Sequence, residues 1–135
     1  MLIQVSYMGR YDHLNVYKST YTLSKEIHKI QLKLPKNLKY GLGAMFFESA
    51  LRCIKGIIFA NGSQSKAPYL REVALEIEMM WTYLRLLFDM KGISKGEFQV
   101  LSERIAEISP QITAWMKWEK SQNKNQKVDS TKPHG

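Results

Sequence analysis

The 135-residue sequence predicts an all-α protein, an antiparallel up-down-up-down four-helix bundle. Three observations lead there. Four stretches place apolar residues at alternating spacings of three and four, the connections between them are short and marked by proline, glycine or capping residues, and no stretch keeps the alternation of a strand. With 44% hydrophobic residues, a chain of this length can bury one core and is too short for two. The expected division is an N-terminal extension over 1–9, a bundle over 10–119 and a disordered basic tail over 120–135.

The first helix is expected from about Arg10 to Leu34, where Pro35 stops it because the residue before proline avoids helical angles. The second runs from about Leu42 to Ala60 and ends at Asn61-Gly62, a pair suited to left-handed backbone angles at a helix C-terminus. The third starts near Ala67, with Pro68 in the first turn where its missing N–H costs nothing, and runs to about Lys91 with Gly92 closing it. Ser94 and Glu97 form a capping box for the fourth, which runs to about Trp118. Pro110 lies inside that helix and is expected to kink or split it. From Lys120 onward Val128 is the only aliphatic residue, too little apolar surface to support packing.

The faces of these helices differ. Val16, Thr20, Leu23, Ile27, Ile30 and Leu34 form one stripe on the first helix, and Phe98, Leu101, Ile105, Ile108, Ile112 and Trp115 form one on the fourth. The second helix is apolar almost all round: Leu42, Met45, Phe46, Cys53 and Ile57 share one side, and Phe47, Leu51, Ile54 and Ile58 extend the apolar surface well round it. The third has a core stripe through Leu70, Val73, Ala74, Ile77, Trp81, Leu84 and Phe88. On another side it carries Leu75, Met79, Leu86 and Met90, with Tyr83 beside them. One bundle offers no cover for that second stripe, so it predicts a homo-oligomer with Leu75, Met79, Tyr83, Leu86 and Met90 at the subunit contact.

Net charge is +8, and its distribution is uneven: +7 over residues 10–66, −2 over 67–119 and +3 over 120–135. The positive field therefore belongs to the first half of the bundle and the tail. Lys18, Lys25, Lys29 and Lys33 lie opposite the core stripe of the first helix, followed by Lys36 and Lys39, with Tyr11, Tyr17, Tyr21 and His28 alongside. Spaced cations with flanking rings can neutralise phosphates while the rings stack on unpaired bases. The same lysines would also serve a face that is simply solvated.

Catalytic and cofactor chemistry is not expected. No Glu is followed three residues later by His, as a di-iron bundle requires. Gly41-Leu42-Gly43 lacks the remainder of a dinucleotide fingerprint, His13, His28 and His134 have no metal-ligand spacing, and no serine sits in a hydrolase elbow. Cys53, the single cysteine, is expected to be a buried thiol. The first residues lack the pattern of a signal peptide and no span is apolar enough for a membrane, which predicts a cytoplasmic protein.

Leu34-Pro35-Lys36, Tyr40-Gly41-Leu42-Gly43, Ala60-Asn61-Gly62, Tyr83-Leu84-Arg85-Leu86-Leu87 and Trp115 together carry a resemblance. Over about residues 11–118 the chain resembles the accessory variability determinant proteins of diversity-generating retroelements, relatives of the four-helix proteins encoded in intervening sequences of ribosomal RNA genes. The resemblance implies a pentameric barrel of bundles that binds RNA and DNA and associates with the retroelement reverse transcriptase during mutagenic complementary-DNA synthesis. It implies nucleic-acid contacts on the third helix, where Arg85 matches the Leu-Arg motif and Arg71 lies on the same helix. Trp81 stands where a basic residue is expected, and Pro110 is unexpected in the fourth helix. Met1 to Gly9 fall outside the resemblance, as they would if Met8 were the natural start. The alternative is a structural scaffolding bundle of the intervening-sequence type with no direct part in reverse transcription.

Overall fold

The computed structural model describes residues 11, 12 and 14–131, the last six as backbone only; the extension over 1–9, the helix start at Arg10, His13 and His134 lie outside the described residues. Four long helices form the bundle: α1 (Asn15–Gln31), α2 (Ala44–Gly62), α3 (Ala67–Asp89) and α4 (Lys95–Thr131). A single turn, Lys36–Leu38, and a π-helical turn, Lys39–Gly43, lead directly into α2. Each helix packs on its neighbours in chain order and α4 closes back on α1, so α1 and α3 lie on one diagonal and α2 and α4 on the other.

The core follows the predicted stripes on α1 and α4. Val16, Thr20, Leu23, Ile27, Ile30 and Leu34 are buried, as are Leu101, Ile105, Ile108 and Ile112. Two hydroxyls enter the α1 stripe because their own helix satisfies them: Thr20 Oγ1 donates to the Val16 carbonyl at 2.7 Å and Ser24 Oγ to the Thr20 carbonyl at 2.8 Å. On α3 the buried line is Leu70, Val73, Ile77, Met80, Leu84 and Leu87, turned slightly from the stripe the sequence suggests. Trp81 and Phe88 are consequently half-buried at its edge.

The tightest seam joins α2 and α3, and Gly56 sets it. A Cβ at Gly56 would run into Val73 Cγ2, so glycine is what lets the two helices approach this closely. Ser49, Ala50, Cys53 and Ala60 line the same seam. The Ser49 hydroxyl donates to the Glu76 carboxylate, which also accepts Arg52 Nε at 2.9 Å. Burial pushes the Cys53 thiol from the usual range near 9 up to about 12, which keeps it neutral.

Helix ends depart from expectation in instructive ways. α1 stops at Gln31, one turn before Leu34, so Lys33 sits in the turn beyond it. Asn61 and Gly62 stay helical, and among the described residues no glycine has positive φ. The carbonyls that a left-handed turn would satisfy are taken by Lys66, whose Nζ donates to Ala60, Asn61 and Ser63 at 2.8, 3.3 and 2.7 Å. At the end of α3 the left-handed residue is Lys91 (φ 61°), not Gly92; Gly92 N–H closes the turn on the Leu87 carbonyl at 2.8 Å. The Ser94–Glu97 capping box forms in both directions at 3.0 and 2.8 Å.

α4 passes Pro110 without a break, so the proline does not split it, and its helical course runs on to Thr131. Extending an existing helix needs only one hydrogen bond per residue fixed. Lys, Gln and Ser continue α4 at little cost, and the next proline is Pro133. Where the bundle ends, the buried Glu119 accepts the Lys66 backbone N–H at 2.7 Å, tying α4 to the start of α3. Among the described residues no helix is long and apolar enough to cross a membrane.

Candidate nucleic-acid interface

The outward face of α1 is positioned by the burial of its opposite side. With Leu23 and Ile27 fully enclosed, Lys18, Lys25 and Lys29 project into solvent, and Lys33 is exposed in the following turn. None of these four has an acidic partner within ion-pair distance among the described residues. They are therefore free cations on one side of the molecule, about two turns apart between Lys18 and Lys25 and about one turn apart thereafter.

Three tyrosines accompany this row. Tyr11 and Tyr17 have ring centroids 5.2 Å apart at 59°, and Tyr17 and Tyr21 lie 6.2 Å apart at 27°. Lys25 Nζ sits 5.1 Å from the Tyr21 centroid, so the outermost ring, half-exposed, is coupled to a cation. Burial, with Tyr11, Tyr21 and Asp12 nearby, pushes the Tyr17 hydroxyl above its ordinary range. His28 leans on Phe47 at 5.0 Å and fills the rim between α1 and α2.

Arg71 and Arg85 are exposed on α3. Because α1 and α3 are diagonal, the structure does not bring these arginines together with the lysine row. Arg85 Nε lies 3.3 Å from Asp89, an exposed pair one turn apart, so part of its charge is answered locally at little gain in stability. Two further lysine–aromatic pairs escape a reading of helix faces alone: Lys39 over Tyr40 at 5.7 Å and Lys55 over Phe59 at 5.9 Å. The spacing of four in the second pair is the signal that could have found it.

Four of the five residues expected at a subunit contact lie on the surface of the bundle. Leu75, Met79, Leu86 and Met90 are exposed, Leu75 at 66%. Tyr83 is not among them. At 7% exposure it closes the α2–α3 seam, its ring 6.3 Å from Phe46. Met45 joins Leu51 and Phe59 among the exposed apolar residues of α2, although Phe46 and Cys53, which share its side by spacing, are buried. Between α2 and α3 lies an outward groove of about 500 Å³, where Phe59 stacks on Tyr69 at 5.6 Å beside Leu75 and the Arg52–Glu76 pair.

Comparison with known proteins adds one finding. The family model described as bAvd-like matches residues 14–119, which spans the bundle from the start of α1 to the Glu119 tie. No curated protein compared with the chain matches it.

Proposed function

The chain belongs to the bAvd-like family, and from that premise we propose that it is a nucleic-acid-binding accessory protein that associates with a retroelement reverse transcriptase and its template RNA. In this reading the chain contributes no catalytic group. It holds RNA or DNA through phosphates, and several copies act together. The observation that carries the reading is the row of unpaired cations Lys18, Lys25, Lys29 and Lys33, with Tyr17 and Tyr21 beside it. Self-association, as a pentamer, covers Leu75, Met79, Leu86 and Met90 and repeats the lysine row on every subunit. A modest attraction at each row then becomes strong binding by avidity. The cytoplasm is where such a protein meets its RNA.

A salt titration tests this. Binding of labelled RNA and DNA should weaken steeply with ionic strength, each phosphate contact adding a logarithmic slope of roughly −0.9 for duplex DNA or −0.7 for single strands. Replacing Lys18, Lys25, Lys29 and Lys33 by Gln should flatten that slope by roughly 3 and lower affinity at low salt. A wild-type protein with no affinity for either polymer in low salt would favour the scaffolding alternative. Co-purification with a co-expressed retroelement reverse transcriptase tests the second half of the reading.

A further inference from the structure

The seam between α3 and α4 carries an open groove of about 590 Å³ to which the reading above gives no role. Trp81 of α3 lies at one end and Lys117 of α4 at the other, and the α4 wall between them holds Ala106, Pro110, Thr113 and Ala114. Ala106, Pro110 and Thr113 recur at intervals of four and three and form one stripe of the helix, with Ala114 beside it. Their side chains are short, and the Trp81 ring is left only half-buried. Pro110 has no N–H, so the carbonyl of Ala106 loses the donor that an uninterrupted α-helix would supply and keeps an acceptor for a ligand. No acidic residue lines the groove.

The same stripe continues past the bundle. Lys120 and Lys124 follow Lys117 at intervals of three and four, and all three are exposed. They cover roughly 10 Å of helix axis at 1.5 Å per residue. A stacked strand carries a phosphate about every 3.4 Å, so the row spans three or four of them. Residues 120–131 lie beyond the span that matches the family, yet the structure continues α4 through them and thereby turns scattered lysines into an aligned row.

We propose that this groove and lysine row form a second nucleic-acid site that takes an unpaired strand, one base resting on Trp81 and the phosphates running along Lys117, Lys120 and Lys124. The inference rests on the nucleic-acid-binding reading and adds the class of ligand. A duplex keeps its bases stacked on one another and offers this site phosphates alone. An unpaired strand offers both, and stacking on an aromatic ring is tolerant of base identity.

The test compares a labelled oligothymidylate with a labelled hairpin duplex on the full-length protein. Two variants are needed: Lys117→Gln with Lys120→Gln and Lys124→Gln, and Ala114→Leu, an exposed substitution that fills the groove without touching the core. The triple variant should flatten the single-strand salt slope by roughly 2. Ala114→Leu should weaken single-strand binding about tenfold and leave the duplex unchanged. An unchanged slope in the triple variant, or equal loss of both probes in Ala114→Leu, overturns the inference while wild-type binding keeps the broader reading intact. A change of oligomer size in Ala114→Leu also overturns it, because the groove would then be a subunit contact. A wild-type protein that binds neither probe overturns both.

Discussion

The outer face of α1 and the outer face of the α2–α3 hairpin are built on opposite terms. α1 shows water a row of lysines and tyrosine edges, and its inner stripe admits two hydroxyls that its own carbonyls satisfy. The hairpin is closed inside by a glycine and small side chains, and outside it leaves Met45, Leu51, Phe59, Leu75, Met79, Leu86 and Met90 exposed. The lysine face is stable in water with no partner at all, whereas the apolar face costs free energy until something covers it. One chain thus separates a surface available to a polyanion from a surface that asks for protein.

That separation can be broken experimentally, most severely at the apolar face. Leu75→Glu with Leu86→Glu should place charges in the contact and reduce the particle to smaller species, seen by sedimentation or light scattering. A wild-type protein that is monomeric at micromolar concentration would remove the premise. Gly56→Ala acts beneath the same face: its methyl group meets Val73 and should cost about 1–3 kcal/mol by overpacking, read by urea or thermal unfolding. The α1 lysines are remote from that seam, so single-subunit phosphate affinity should be unaffected by it.

Cys53 gives the most local signal, and in mild alkali a small one. Because its thiol is held up to about 12, the unfolded chain releases this proton near pH 9 while the native protein retains it. The stabilising term is whole below about pH 9 and is lost as pH rises towards 12, at about 1.4 kcal/mol per pH unit. Cys53→Ala should remove that part of the alkaline decline, measured as urea stability at neutral pH and in mild alkali. Identical pH dependence in the variant would mean that the thiol is not so enclosed.

The sequence announced the single-striped helices and was ambiguous about the others. On α1 and α4 the large apolar residues fall mostly in one stripe, so spacing alone identifies the inside. On α2 and α3 apolar residues surround the helix, and which of them turns inward depends on how closely the two helices approach. Gly56 permits the close approach at Val73, and further along the same seam Tyr83 faces Phe46 while Met45 faces out. Tertiary ties were invisible for another reason. Lys66–Glu119, Arg52–Glu76 and Ser19–Gln111 join residues 53, 24 and 92 positions apart, beyond any local pattern. The lysine row needed only helical periodicity to be seen.

The division of labour between the two faces is tested most directly by sedimentation velocity of the protein mixed with labelled RNA, following protein and RNA at separate wavelengths. Three samples are compared in one low-salt buffer: wild type, the Lys18, Lys25, Lys29 and Lys33 to Gln variant, and the Leu75 and Leu86 to Glu variant. The account predicts that the lysine variant sediments at wild-type size with RNA left behind. The leucine variant should run smaller, with residual RNA association weakened only by lost avidity. A lysine variant that carries RNA as wild type does, or one that loses its oligomeric size together with its RNA, would contradict the assignment of the two faces to different partners.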